Sequence, residues 1–261
     1  ARCAAGFEAA WWPRRRIASE STLPHAAAIA SPGAAQLDAY RLTYGLLLAA
    51  QRAGARIHDR TTVTRRHLRP SGVELATSRG GRVRARHVVV ATGYEAEAFL
   101  PRRYGALHST FALVSEPMAD GAFSGWPAER ALIWDTGDPY LYLRTTSDGR
   151  AMIGGGDEPF RDPDERDRLL GAKAAALQRR FRRFFPQISF ERSTAWAGTF
   201  GVTDDGLPYI GQHRGIPHTW FALGFGGNGT TFSVIAAEII REGILGRRDP
   251  DAELFSFARS D

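Results

Sequence analysis

The sequence predicts a mixed α/β fold in which a partial Rossmann-like layer carries an inserted, mixed-sheet domain. Three observations support this prediction. A continuous apolar run, Val88–Ala91, is typical of a strand buried in a parallel sheet, and a second strand pattern at 220–223 leads through a glycine run into a helix. Between them, residues 101–196 alternate like the strands of a separate mixed sheet.

The composition restricts the class of protein. A chain of 261 residues with 43% hydrophobic residues can fill one large core or two small ones. Its apolar stretches fall short of the roughly 20 residues that a membrane span needs, and no signal segment opens it, so we expect a cytoplasmic protein without membrane contact. A single cysteine, Cys3, and seven scattered histidines predict no metal site.

The net charge of +6 raises the alternative of nucleic-acid binding. The densest basic segment, 179–183, interleaves with apolar positions that recur at helical spacing from Leu170 to Phe184. This spacing places the arginines on the solvated face of an amphipathic helix. We therefore predict no nucleic-acid partner, and steeply salt-dependent retention on nucleic acid would contradict that prediction.

The first elements of the layer are a helix and three strands. Residues 36–53 read as a largely apolar, buried helix that has Asp38 near its start and Gly54 as its stop. A strand over 55–63 follows, and then a hairpin of 72–77 with 82–91. The hairpin's second strand ends in the continuous run Val88–Ala91, which predicts burial on both faces of a parallel sheet.

The inserted domain has strand patterns at 108–116, 131–135, 140–145 and 151–154, and a long helix that Asp162 caps ahead of Pro163 and Glu165. In one strand, Tyr140, Tyr142 and Arg144 alternate and so share a face. Such a face could line a substrate pocket and bind a carboxylate. Ordinary strand packing is the alternative interpretation.

The glycine run comprises Gly224, Gly226, Gly227 and Gly229, and it opens a helix. Strand, glycines and helix are the local context of a dinucleotide fingerprint, but no second strand pattern follows Gly246. The helix start can still present unpaired amides to a phosphate or to a flavin carbonyl. A glycine-rich turn that only permits close packing is the alternative.

Taken in order, four motifs resemble the FAD-dependent oxidoreductases of the D-amino-acid oxidase group, which includes glycine oxidase and sarcosine oxidase. They are the Ala-Thr-Gly end of the strand at 88–94, the segment 142–155, Asp-Gly-Leu-Pro at 205–208, and the glycine loop at 223–229. The resemblance runs from about Ala26 to Gly246. It implies a partial FAD-binding layer and an activity that oxidises a C–N bond of an amine or amino acid by hydride transfer to flavin.

The resemblance also implies noncovalent FAD and a set of residues that bind it. They are Val63, Thr92, Gly93, Gly206, Leu207, Pro208, Gly224, Gly226, Gly227, Asn228, Gly229, Thr230 and Thr231. It divides the chain into an incomplete FAD-binding domain over 34–93 and 197–246, a substrate domain over 1–33 and 94–196, and a C-terminal tail over 247–261. The catalytic residues are not identified by it.

The chain departs from the family pattern in ways that matter for function. The family's N-terminal βαβ unit, which holds the FAD pyrophosphate, has no counterpart in the sequence. A sheet edge exposed in this way could pair with a second copy, so we expect a possible homo-oligomer. No arginine occupies 196–200, so either Arg144 is the nearest partner for a substrate carboxylate or the substrate lacks an α-carboxylate. A noncatalytic interaction module that does not retain FAD is the alternative function.

Overall fold

The computed structural model describes residues 2–127 and 130–260. The described chain runs through β1 (Ala10–Pro13), α1 (Arg14–Glu20), β2 (Ala27–Ala30), α2 (Ala39–Arg52), β3 (Val63–Arg69), β4 (Gly72–Thr77), β5 (Arg82–Ala85), β6 (Val88–Val90), β7 (Ala106–Ser115), β8 (Ile133–Trp134), β9 (Leu141–Thr145), β10 (Ala151–Pro159), α3 (Pro163–Phe184), β11 (Arg192–Val202), β12 (Tyr209–Gln212), β13 (Thr219–Leu223) and α4 (Gly229–Ile244). This mixture of helices and strands confirms the predicted fold class.

The chain forms two compact units. The first unit contains the residues up to Gln36 together with His108–Thr199, and the second contains Leu37–Leu107 together with the residues from Phe200 onward. Residues 94–107 and the segment after 246 therefore belong to the second unit. The predicted roles of the units, one for the cofactor and one for the substrate, remain predictions.

The first unit is built on a five-stranded sheet in the order β11-β7-β10-β9-β8. One face of this sheet is apolar and carries buried side chains such as Leu143 and Ile153, which pack in one cluster with Phe181 of α3. In the same cluster, the ring of Trp126 stacks on Phe185 at 4.6 Å between centroids. Because side chains alternate along a strand, the apolar face leaves the opposite face free for polar groups.

Helix α3 begins where the sequence predicts. The carboxylate of Asp162 accepts a hydrogen bond from the Glu165 amide at 2.8 Å, which satisfies one of the unpaired donors of the first turn. Leu177 and Phe181 are buried on the inner side, whereas the arginines at 179, 180, 182 and 183 are exposed. The predicted solvated face of this helix is confirmed.

The second unit holds two three-stranded sheets. In the first, β13 pairs with β6 in parallel and with β12 in antiparallel orientation, and α4 packs Ile239 and Ile240 in one cluster with Ile210 of β12. In the other sheet, β3, β4 and β5 form an antiparallel meander. The predicted second hairpin strand over 82–91 therefore divides at Arg86 and His87, and its halves join different sheets.

Three expectations about this unit are wrong. Strand β6 is parallel as predicted, yet Val89 is 45% exposed, because β6 lies at the edge of its sheet. The expected strand over 55–63 is absent before Val63, since Arg60 adopts a left-handed φ of 47° that interrupts an extended backbone. Helix α2 buries none of its residues, because nothing in the described chain covers its apolar side chains.

None of the helices in the described ranges is long and apolar enough to cross a membrane.

Candidate functional site

Three glycine-containing segments meet at one edge of the β12-β13-β6 sheet. Strands β6 and β13 are parallel, with Val90 opposite Phe221, so the segments that follow them, 92–94 and 224–229, leave the sheet at the same edge. Strand β12 is antiparallel to β13, with Tyr209 opposite Leu223, so the segment 206–208 enters at that edge too. We call these three segments the glycine edge.

The segment 224–229 of the glycine edge packs closely against the end of β11 and the residue that follows it. The amide of Gly226 donates a hydrogen bond to the carbonyl of Gly201 at 3.0 Å. Gly224 has a left-handed φ of 74°, and a Cβ atom at this position would lie 2.6 Å from Cγ2 of Thr203. Both the conformation and the close approach therefore require glycine at position 224.

The open side of the glycine edge is lined by glycines and by the start of a helix. Cβ atoms built on Gly93, Gly206, Gly226 and Gly229 would meet no atom within 4 Å, so at least one glycine of each segment borders open space. Helix α4 starts here, and no side chain caps it. The amides of its first turn are therefore unpaired within the described chain, and they favour a ligand with a carbonyl or anionic edge.

Arg259 holds the turn at 205–208 in place. Its Nε atom donates to Oδ2 of Asp205 at 2.7 Å, and its Nη2 atom donates to the carbonyl of Leu207 at 2.5 Å. The guanidinium carbon also lies 3.7 Å from the ring centroid of Tyr209. The hydrogen bond from Arg259 lowers the pKa of Asp205 to about 2, so this carboxylate is ionised throughout the physiological range.

The sequence analysis missed Arg259, because it treated residues 247–261 as a tail. In the structure this segment forms short 3-10 helices, and its Phe255 and Phe257 are buried in the second unit. The two phenylalanines at 255 and 257 were the available signal. Among the predicted cofactor residues, Val63 lies apart from the glycine edge. It begins β3 in the meander and is 43% exposed.

A polar face lies on the first unit, on the side of the five-stranded sheet away from its apolar core. Tyr142 and Arg144 are half-buried on this face, while Leu141, Leu143 and Thr145 between and beside them are buried on the other. The hydroxyls of Tyr142 and Thr110 lie 3.4 Å apart. Burial raises the pKa of Tyr140 and of Tyr142, so both phenols stay neutral and can donate hydrogen bonds.

The ring of Tyr142 has room on the polar face because a glycine lies opposite it. A Cβ atom on Gly154, which pairs with Tyr142 across β9 and β10, would lie 2.3 Å from the ring carbon Cζ. The face also carries a carboxylate that the sequence analysis did not single out, Asp157. Burial raises the pKa of Asp157, and its Oδ1 atom is buried without a hydrogen-bond partner among the described residues.

The described residues contain no group of three or more His, Cys, Asp or Glu side chains placed to hold a metal ion.

Comparison with known proteins identifies the class to which these features belong. The family model described as FAD dependent oxidoreductase matches residues 1–242, so the chain is a member of this family. The resemblance predicted from the four ordered motifs is thereby confirmed.

Individual relatives agree with the family. Glycine oxidase of Geobacillus kaustophilus (strain HTA426) is 29% identical over 245 residues, which cover 93% of this chain and 61% of that protein. Glycine oxidase of Bacillus licheniformis is 28% identical over 179 residues, or 67% of this chain and 46% of that protein. The chain thus spans about half to three-fifths of the length of these relatives.

Solved structures share the fold. The glycine oxidase structure from Geobacillus kaustophilus superposes with a TM-score of 0.80 at 22% identity, covering 97% of this chain and 68% of that one. The L-proline dehydrogenase structure from P. horikoshii gives a TM-score of 0.82 at 20% identity, covering 98% and 70% of the two chains.

Proposed function

We propose that the protein binds FAD noncovalently at the glycine edge and oxidises a C–N bond of an amine or amino acid. The observation that carries this proposal is the meeting of 92–94, 206–208 and 224–229 at one sheet edge, in a chain that belongs to the FAD dependent oxidoreductase family. All but one of the residues that the resemblance assigns to the cofactor lie in these segments or in the first turn of α4. Val63 is the exception.

When bound, FAD would supply the acceptor for the hydride that leaves the substrate carbon. The chain's own residues hold the cofactor and orient the substrate. The glycines let the backbone approach a planar ring closely, and the amides of Gly229, Thr230 and Thr231 favour negative charge at the ring's edge. The Arg259 contacts keep the turn at 205–208 in one conformation, so this wall of the site is preorganised.

The polar face is the proposed substrate site. The guanidinium of Arg144 would bind a substrate carboxylate, and the neutral hydroxyls of Tyr140 and Tyr142 would donate hydrogen bonds that orient the substrate. After the nitrogen has lost a proton and the carbon a hydride, the product is an imine, which water hydrolyses to a carbonyl compound and an amine or ammonia.

Flavin binding is tested by the visible spectrum of the purified protein, titrated with FAD and then mixed anaerobically with amines and amino acids. We expect a protein-bound flavin spectrum that bleaches with substrate. Gly227→Trp should weaken FAD binding at least about tenfold, because a bulky side chain would fill the glycine edge. Gly171→Trp, at an exposed position of α3 in the first unit, is the matched control and should bind FAD normally.

A folded protein that takes up no FAD would instead support the alternative of a noncatalytic interaction module. Normal FAD binding by the Gly227→Trp variant would contradict the assignment of the glycine edge. FAD binding without bleaching by any amine or amino acid would contradict the proposed reaction but not the assignment of the cofactor site.

A further inference from the structure

A β-bulge in strand β10 decides where Asp157 lies. Gly155 pairs with Phe111 of β7, whereas Glu158 pairs with Ser109, so Gly156 and Asp157 together stand opposite the single residue Thr110. Bulges of this kind turn a side chain to a new direction, and they occur next to functional sites more often than elsewhere.

The bulge moves Asp157 from the apolar face to the polar face. Before it, the odd-numbered residues Ala151 and Ile153 are buried in the core, and a regular strand would place Asp157 with them. After it, Glu158 pairs with the buried Ser109 and so takes the core side, which leaves Asp157 on the side of Thr110 and Tyr142. One inserted residue therefore adds a carboxylate to the predicted substrate face.

Lys173 of α3, the only lysine in the sequence, holds the bulge from the core side. Its Nζ atom donates to the carbonyl of Gly156 and to Oε1 of Glu158, both at 2.6 Å. Gly156 has a left-handed φ of 68°, which glycine adopts without strain. The bulge is thus anchored by two hydrogen bonds that do not involve the Asp157 side chain.

The surroundings of Asp157 leave its charge incompletely balanced. Burial raises its pKa, against the opposing effects of a hydrogen bond from Thr110 and the charges of His108 and Lys173. Its Oδ1 atom is buried and accepts no hydrogen bond from the described chain. Leaving a carboxylate oxygen in this state costs free energy, and a cation beside the half-buried carboxylate would offset part of that cost.

The position of Asp157 relative to Arg144 indicates how long such a ligand is. Arg144 pairs with Met152, and Asp157 follows Met152 by five residues, one of which is the bulge insertion. About four strand positions, or about 13 Å along the sheet, therefore separate the two charged residues. The α-ammonium and α-carboxylate of an amino acid are only two bonds apart and cannot reach both.

We infer that the polar face binds an amino acid with a second, distal ammonium group, its carboxylate at Arg144 and its distal nitrogen at Asp157. This inference rests on the proposed substrate site and makes Asp157 a specificity-determining residue. With both side chains standing roughly perpendicular to the sheet, an extended lysine-type ligand with a hydrogen bond at each end spans the separation. An uncharged chain of the same length would leave Asp157 without its partner.

The test compares lysine with norleucine, which has the same carbon chain without the ammonium group. Calorimetric titration of the purified protein, with both enantiomers of each, should give affinity for one enantiomer of lysine at least about tenfold above that for norleucine. Asp157→Asn should abolish this preference by weakening the binding of lysine. Glu191→Gln removes one negative charge at an exposed position of the same unit and should change neither affinity.

Equal binding of lysine and norleucine, no binding of lysine, or a preference that survives in Asp157→Asn would overturn the inference. Its failure is separable from failure of the proposed function. A protein whose flavin is bleached by amino acids without any preference for lysine contradicts the role of Asp157 alone. A protein that takes up no FAD but binds lysine through Asp157 contradicts the oxidoreductase proposal alone.

Discussion

The glycine edge and the polar face are built from different parts of the chain. The glycine edge consists of backbone, namely glycines that border open space and the amides at the start of α4. The polar face consists of side chains, with Tyr142, Arg144 and Asp157 set by strand alternation and by one bulge. A side chain added to the first either strains the backbone, as at Gly224, or enters the open space beside it, whereas the second is sensitive to the chemical identity of each residue. A cofactor shared by a family suits the first, and a substrate that varies within a family suits the second.

Gly224→Val is the change with the largest expected effect, because it acts on backbone. It forces a β-branched residue into a left-handed conformation and drives Cβ against Thr203, so the free energy of unfolding should fall by about 2–5 kcal/mol. Urea unfolding measures this loss. Gly229→Ala, at an ordinary φ beside open space, should change stability by less than about 1 kcal/mol. Equal losses of unfolding free energy in the two variants would show that position 224 does not specifically require glycine.

Lys173→Met tests whether the polar face depends on the bulge. Without the bonds to Gly156 and Glu158, Asp157 should occupy its position only part of the time, so the preference for lysine over norleucine should fall severalfold. Affinity for norleucine should stay constant, which a general loss of folding would not allow. Lys173→Arg retains donors for both acceptors and should restore part of the preference. An unchanged preference in Lys173→Met would show that the bulge holds without its lysine.

Asp205→Asn should have the smallest effect, and that effect should depend on pH. Since the pKa of Asp205 in the folded chain is lowered to about 2, its bond with Arg259 stabilises the fold above about pH 4. The stabilisation is lost as the pH falls through about 2. The difference in unfolding midpoint between wild type and variant should therefore shrink from pH 5 to pH 2. A constant difference over this range would mean that the ion pair is not its source.

Local signals explain what the sequence predicts correctly. The start of α3 depends on Asp162, Pro163 and Glu165, which are adjacent in the chain, and the structure places the cap where they predict it. The apolar run at 88–91 predicts a strand of a parallel sheet, a signal that is also local, and β6 does pair in parallel, whereas its partner β13 comes from the structure. Taken together, the four family motifs also predict the order of these elements along the chain, which no single motif predicts.

The features missed by the sequence analysis depend on partners far away in the chain. Burial of the α2 side chains was wrong because an apolar helix is buried only where another element covers it. The bulge at Gly156 and Asp157 exists through register with β7, more than 40 residues earlier, and through Lys173. Arg259 reaches the turn at 205–208 from beyond α4. Composition and periodicity carry no information about such contacts.

The solitary lysine has a practical consequence. Expression of the protein with lysine that carries carbon-13 at Cε would place a reporter on Lys173, and on no other side chain, while all the N–H donors of the ammonium are retained. Its NMR resonance would come from the carbon bonded to Nζ, the atom that donates to Gly156 and Glu158. A single peak could then follow the state of the bulge during ligand titrations, separately from any signal of the flavin.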